Sequence, residues 1–138
     1  MALQCPGDAA LGYVLVAGQW RSNVFHLPVR GNGDGGAFTT VDDVHRLWAA
    51  LFGGKIVSDA MVSEMLRPRG DRGENGENYG LGLGLELDGG AVELIGADAG
   101  ASFASFHDPE RRITYTVMAN TVNGAWPVRR AVMAHLSG

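Results

Sequence analysis

Residues 95–105 read Ile-Gly-Ala-Asp-Ala-Gly-Ala-Ser-Phe-Ala-Ser. Small residues surround a lone carboxylate, Asp98, and an alternating segment typical of a β-strand follows. Small residues at this density let a ligand or another backbone segment approach the main chain closely. The stretch is therefore a candidate binding site at the beginning of a strand.

Strand patterns continue on both sides of it. We expect strands over 91–95, 102–106 and 113–120, separated by turns at 88–90 and 107–111. Upstream, residues 78–87 alternate leucine or tyrosine with glycine, which predicts one continuous strand with a glycine face against another element. Short turns between successive strands predict an antiparallel meander.

Helix patterns flank the meander. Thr40 and Ser58 are good N-caps for a longer and a shorter helix, and Trp126-Pro127 begins a third. The apolar stripe of the first helix is predicted to be Val41, Val44, Leu47, Trp48 and Leu51, and that of the last helix Val128, Ala131, Val132 and Leu136. With a hairpin over 11–25, the fold class is α+β, an antiparallel β-meander packed with helices and with the C-terminal helix on the sheet. No linker divides the chain, so we expect a single domain over 1–138.

The composition of the chain limits the kinds of partner that it can bind. The chain has 138 residues, 46% hydrophobic and 19% charged, with a net charge of −4, which argues against nucleic acid or an anionic membrane as the main partner. Cys5 is the only cysteine, and Met1 to Pro6 lacks the features of a signal peptide. We expect no membrane span and a cytoplasmic location.

The sequence gives little support for a metal site, a phosphate site, a serine nucleophile or an adhesion motif. The four histidines are scattered and no cysteine cluster exists, so we expect no metal and no cofactor. The Gly-rich segment 31–36 precedes a helix, but Asp34, Asp42 and Asp43 place negative charge where a phosphate would bind. Ser102 stands in a segment like a nucleophile elbow, yet it begins a strand, which favours a structural serine. Arg69-Gly70-Asp71 lies in a charged loop over 69–77, and a solvated loop explains it better than adhesion.

Several segments together resemble a known family. Gly-Gly-Ala-Phe-Thr-Thr-Val-Asp-Asp-Val at 35–44 is similar to a segment of serine hydrolases related to class C β-lactamases and penicillin-binding proteins. Met-Leu-Arg-Pro at 65–68, Tyr-Gly-Leu-Gly at 79–82, Asp-Pro-Glu-Arg at 108–111 and a strand ending at Asn120 follow in the family's order. The resemblance covers the chain from about residue 11 onward and corresponds to the C-terminal part of that family.

The resemblance implies a catalytic apparatus that this sequence does not contain. In the family the nucleophile is the serine of Ser-x-x-Lys, assisted by a tyrosine of Tyr-x-Asn. The only lysine is Lys55, and Phe52 stands three residues before it. None of the three tyrosines is followed two residues later by asparagine. The chain is expected to be inactive alone.

The resemblance also assigns the candidate site residues. The family's Lys-Thr-Gly or His-x-Gly motif falls on Ala97, Asp98 and Ala99, so that Ala97 replaces the cation and Ala99 the glycine. Gly100 follows, at the place whose backbone N–H completes the family's oxyanion hole. Asp98 is either a group that orients substrate or an aspartate that caps a turn. Without the cation, an ester, amide or peptide is a better substrate for the parent protein than a β-lactam.

Two hypotheses follow. In the first, the chain is the C-terminal segment of a β-lactamase-related serine hydrolase. In the second, it is a non-catalytic binding or assembly module that forms a homo-oligomer or pairs with a companion fragment, because a meander edge and the glycine face would be uncovered.

Overall fold

The computed structural model describes residues 7–26, 31, 35–69, 78–85 and 90–136. Within them the elements follow the predicted order of hairpin, two helices, meander and closing helix. The strands are β1 (Tyr13–Val16), β2 (Gln19–Ser22), β3 (Asn78–Tyr79), β4 (Gly84–Leu85), β5 (Val92–Asp98), β6 (Ala101–Asp108) and β7 (Ile113–Ala119). The helices are α1 (Val41–Phe52), α2 (Asp59–Met65) and α3 (Ala125–Leu136), with a 3₁₀ turn at Val24–His26.

The strands form two sheets. β1 and β2 pair antiparallel, with Leu15 opposite Trp20. The other five strands form one sheet in the sequential order β3-β4-β5-β6-β7, the meander that the turn spacing predicts. The α+β class and the antiparallel sheet are therefore confirmed.

The predicted single strand over 78–87 is wrong. Within its described part, 78–85, it forms two separate short strands, β3 and β4, which pair with each other so that Tyr79 lies opposite Gly84. The chain reverses between them, where Gly82 has φ +76°. Alternation of leucine and glycine is the same in a continuous strand and in a tight hairpin, so periodicity could not show the reversal.

The expected close approach to the glycine face is present at Gly80. A Cβ at this position would overlap the carbonyl oxygen of Met65 at the end of α2. The N–H of Leu81 donates to the same oxygen at 3.0 Å. Gly80 therefore lets the end of α2 pack directly on the backbone of the β3–β4 turn.

The predicted cap of α2 is confirmed, whereas the predicted buried stripes of α1 and α3 are not fully confirmed. Ser58 caps α2, and its side chain accepts a hydrogen bond from the N–H of Met61 at 3.3 Å. On α1 the residues Val44, Trp48 and Leu51 are buried, whereas Val41 and Leu47 are exposed. On α3 only Ala125 is buried, and Val128 is 49% exposed, so the predicted buried stripe of this helix is wrong.

The chain divides into two compact units. One contains residues 1–40, 96–103 and 118–138, and the other contains 41–95 and 104–117. The largest fully buried side chains, Trp48, Val92 and Ser105, all lie in the second unit. The Gly-rich segment 31–36, the loop 69–77 and the turn 88–90 lie partly or wholly outside the described residues.

Candidate functional site

The candidate site residues form the tight turn between β5 and β6. Ala97 and Asp98 end β5, and Ala99 and Gly100 make the turn. Asp98 is exposed, and its Oδ1 accepts a hydrogen bond from the N–H of the next residue, Ala99, at 2.6 Å. Ala97 is exposed and Ala99 half-buried. The structure therefore brings these residues together as one hairpin turn.

Gly100 is the constrained position of that turn. It is buried and has φ +77°, a conformation that L side chains rarely adopt. A Cβ at this position would lie 2.8 Å from the backbone nitrogen of Tyr13 and 2.9 Å from Cβ of Asn23. Only glycine fits this turn without strain.

Asn23 holds the turn in place. Its Nδ2 donates to the carbonyl oxygen of Ala99 at 2.9 Å, and its Oδ1 accepts from the N–H of Gly12 at 3.1 Å. Asn23 is 4% exposed; its hydrogen bond with Gly12 is buried and its hydrogen bond with Ala99 is partly buried. Sequence reasoning missed Asn23, because its partner at position 99 lies 76 residues away along the chain.

Ser102 joins the following strand to α3. Its hydroxyl donates to the carbonyl oxygen of Thr121 at 2.7 Å and accepts from the N–H of Ala125 at 3.0 Å. Ala125 is the first residue of α3, so Ser102 satisfies a backbone donor that a helix N-terminus leaves open. These bonds support the prediction of a structural serine.

A second polar cluster lies in the unit that contains Trp48. The indole Nε1 of Trp48 donates to Oγ of Ser105 at 2.7 Å, and Ser105 Oγ lies 2.9 Å from Oγ1 of Thr116. The ring of His107 stacks on Trp48 with a centroid distance of 5.5 Å, and its Nδ1 lies 2.8 Å from Oγ1 of Thr114. Helix α1 is thus tied to β6 by hydrogen bonding and stacking, and β6 is tied to β7.

The surroundings of His107 favour its neutral form. Burial lowers its pKa from the usual 6.5, the carboxylate of the adjacent Asp108 opposes this, and His45 lowers the pKa further. Asp108 itself caps the β6–β7 turn, with Oδ1 accepting from the N–H of Arg111 at 2.8 Å. The sequence predicts a turn within 107–111, and this hydrogen bond lies in it.

A cavity of about 220 Å³ adjoins this cluster. It is lined by Val41, Asp42 and His45 of α1 and by residues 114–116 of β7. In the part of the chain that the structure describes, no group of three or more His, Cys, Asp or Glu could hold a metal ion. Among those residues, the hydrogen bonds also join no serine hydroxyl to a histidine side chain.

The family model for beta-lactamases matches residues 2–137. The chain belongs to the beta-lactamase family. A search of curated proteins finds no match to the chain. Among the described residues, no helix has the length and apolar character needed to cross a membrane.

Solved structures agree with the family. The chain is similar to a penicillin-binding protein from Bacillus halodurans, with 32% identity and a TM-score of 0.85 over 95% of this chain and 41% of that one. It is similar in fold to the octameric penicillin-binding protein homologue from Pyrococcus abyssi, with 23% identity and a TM-score of 0.67 over 84% of this chain and 28% of that one. This beta-lactamase-family chain therefore spans less than half the length of either structure.

Proposed function

We propose that this chain forms the C-terminal wall of a serine-hydrolase active site and that it performs no acyl transfer by itself. The observation that carries the proposal is the match over 95% of this chain to only 41% of a penicillin-binding protein. The sequence contains neither Ser-x-x-Lys nor Tyr-x-Asn, the groups that supply nucleophile and base in the family. The buried serines Ser102 and Ser105 use their hydroxyls to hold strands and helices together.

In this proposal the turn at 97–100 faces the acyl group of an ester, amide or peptide. The N–H of Gly100 donates to the oxyanion, for which a fixed backbone donor is sufficient. Asp98 orients the substrate. Ala97 offers no charge to a substrate carboxylate, which favours esters and peptides over β-lactams. A cytoplasmic location is part of the same proposal, and fractionation of the native host tests it.

Ester chemistry tests the absence of acyl transfer. With nitrophenyl acetate the isolated chain should release no burst of nitrophenol above the buffer rate, and its intact mass should stay unchanged. A stoichiometric acyl adduct would sink the proposal. The Ser102→Ala variant is the matched control, because it removes a serine that resembles a nucleophile in sequence alone.

A test of Asp98 requires a protein that also carries the Ser-x-x-Lys and Tyr-x-Asn motifs. In a chain that joins this segment to Ser-x-x-Lys and Tyr-x-Asn, Asp98→Ala should lower kcat/KM if the carboxylate orients substrate. An unchanged kcat/KM would leave Asp98 only its local hydrogen bond from the N–H of Ala99.

A non-catalytic assembly module is the second candidate, favoured by the exposed apolar face of the β1–β2 hairpin. Leu15 is 59% and Trp20 61% exposed, and the two lie opposite each other on that face. Contiguous exposed apolar side chains commonly mark interaction surfaces. Sedimentation at increasing concentration tests this candidate, and a sharp monomer profile throughout would count against it.

A further inference from the structure

The peptide group between Ala99 and Gly100 is the central peptide of the β5–β6 turn. Its carbonyl oxygen, on Ala99, accepts a hydrogen bond from Nδ2 of Asn23 at 2.9 Å. Its N–H, on Gly100, is the donor that the proposed function assigns to the oxyanion. The described residues contain no cis peptide bond, and the O and H atoms of a planar trans peptide point in opposite directions. The hydrogen bond from Asn23 therefore also determines the direction of the Gly100 N–H.

A turn with glycine at its second central position can hold this peptide in two orientations. Positive φ is found at Gly100, where it is +77°, and not at the preceding Ala99, a combination typical of a type II turn. In a type I turn the second central residue has φ near about −90°, and the central peptide is rotated by about half a turn. Glycine adopts both φ values readily. A contact from outside the turn must therefore select the orientation.

Asn23 is such a contact, and its own position is fixed. Its backbone N–H donates to the carbonyl of Gly12, and its carbonyl accepts from the N–H of His26, both at 2.8 Å. Its Oδ1 accepts from the N–H of Gly12 in a buried hydrogen bond. An N–H partner requires the amide oxygen and a carbonyl partner requires the amide nitrogen. Only one orientation of the side-chain amide therefore satisfies both Gly12 and Ala99.

Two glycines let the turn pack directly against Asn23. A Cβ at Gly12 would overlap the carbonyl oxygen of Gly100 and Nδ2 of Asn23. A Cβ at Gly100 would in turn lie 3.0 Å from the same Nδ2. All three residues belong to one compact unit of the chain. The side-chain amide of Asn23 is thus in immediate contact with the peptide that it orients.

We propose that Asn23 is a positioning residue for the oxyanion donor. Its amide holds the carbonyl of Ala99 and so directs the N–H of Gly100 to the opposite side of the turn, toward the acyl group. The destination of the N–H rests on the proposed function, whereas its direction follows from the hydrogen bonds alone. A donor that is fixed before the substrate binds stabilises a developing oxyanion without having to reorganise.

Asn23→Asp tests the proposal, because it keeps the size of the side chain and the oxygen that accepts from Gly12. An oxygen replaces Nδ2 opposite the carbonyl of Ala99, and the two oxygens repel each other. The turn peptide should therefore rotate, so that the N–H of Gly100 donates to the introduced carboxylate.

Asn120→Asp is the matched control. The side chain of Asn120 also donates to a backbone carbonyl, that of Leu11 at 3.3 Å, and it lies in the same compact unit. The change from amide to carboxylate is the same, but this carbonyl is outside the turn. The orientation of the 99–100 peptide should stay as in the parent chain.

Nuclear Overhauser effects in the 138-residue chain measure the direction of the Gly100 N–H. In the parent chain and in Asn120→Asp this proton should lie close to Hα of Ala99, as in a type II turn. In Asn23→Asp it should lie close to the N–H of Ala99 instead, as in a type I turn. An unchanged pattern in Asn23→Asp would overturn the proposal.

Two further measurements keep the test decisive if the buried charge of Asn23→Asp prevents folding. Asn23→Ala removes the donor without adding a charge, so the N–H of Gly100 should show both contacts with Ala99, to Hα and to the N–H. In the parent chain, the side-chain amide protons of Asn23 should exchange with solvent more slowly than those of the exposed Asn120. A single unchanged contact in Asn23→Ala, or equal exchange of the two amides, would refute the control of the turn by Asn23.

Kinetics in a longer chain that carries Ser-x-x-Lys and Tyr-x-Asn test the destination of the N–H. Asn23→Asp should lower kcat about 100- to 1000-fold with little change in KM, as the loss of one oxyanion donor does, and Asn120→Asp should retain kcat. A rotated peptide with an unchanged kcat would remove Gly100 as the oxyanion donor and leave the control of the turn by Asn23 standing. An unrotated peptide would remove only the role of Asn23 and leave the proposed function untouched.

Discussion

Gly100 combines a left-handed backbone conformation with a close approach to Tyr13 and Asn23. Gly100→Ala should therefore lower the free energy of unfolding by about 2 kcal/mol, through strain and steric overlap. Gly96→Ala is the matched control, because a Cβ at Gly96 meets nothing within 4 Å. Its effect should stay within about 0.5 kcal/mol. Urea denaturation measures both variants, and equal effects would show that the turn tolerates a side chain at position 100.

Ser102 is a second residue whose contribution can be isolated. Ser102→Ala leaves the buried N–H of Ala125 and the partly buried carbonyl of Thr121 without this partner, which should cost about 1–3 kcal/mol of stability. Ser63→Ala removes an exposed hydroxyl bonded to its own helix and should cost about 0.5 kcal/mol or less. Thermal unfolding of the two variants against the parent chain compares them. If Ser102→Ala lost no more stability than Ser63→Ala, the two hydrogen bonds of Ser102 would not stabilise the fold.

At the scale of elements, His107 of β6 stacks on Trp48 of α1 and links their packing to pH. Its pKa is lower in the folded chain than the 6.5 of the unfolded chain, so the unfolded state binds the proton more readily. The stabilisation is complete above 6.5 and declines as the pH falls below it toward the folded-state pKa. Denaturant midpoints measured well above and well below 6.5 should show this loss.

Two variants assign that acid sensitivity. His107→Gln keeps a polar side chain near Thr114 but does not titrate, so this component of the pH dependence should disappear. His135→Gln replaces an exposed histidine near the end of α3 and should retain it. Identical pH profiles for the parent and His107→Gln would show that other groups cause the acid loss.

The limits of sequence prediction are visible in the same elements. The caps Ser58 and Asp108 were predictable, since each accepts a hydrogen bond from an N–H three residues ahead. The candidate residues 97–100 were located through family resemblance, and their catalytic roles stay predictions. Asn23 could not be predicted, because its role exists only when residues 12, 23 and 99 meet in the fold. The prediction of a buried stripe on α3 failed for a similar reason: apolar residues at helical spacing do not show which element packs on them.

At the scale of the whole molecule, the expectation of a single domain can be tested through the tryptophans. Trp48 belongs to one compact unit, and Trp20 and Trp126 belong to the other. Chains that keep only Trp48 or only Trp126 should unfold at the same denaturant midpoint, each coincident with the loss of far-ultraviolet ellipticity. Separate midpoints would mean that the two units are distinct folding domains.

The bonds of the β1–β2 hairpin also have a consequence for synthesis on the ribosome. The N–H of Tyr13 donates to the carbonyl of Asn120, and the side chain of Asn23, just after the hairpin, donates to the carbonyl of Ala99. Chains emerge from the N-terminus first, so the hairpin is made long before either partner exists. These two contacts can therefore form only after Ala99 and Asn120 have left the exit tunnel, and until then nothing beyond the hairpin itself holds it in its folded position.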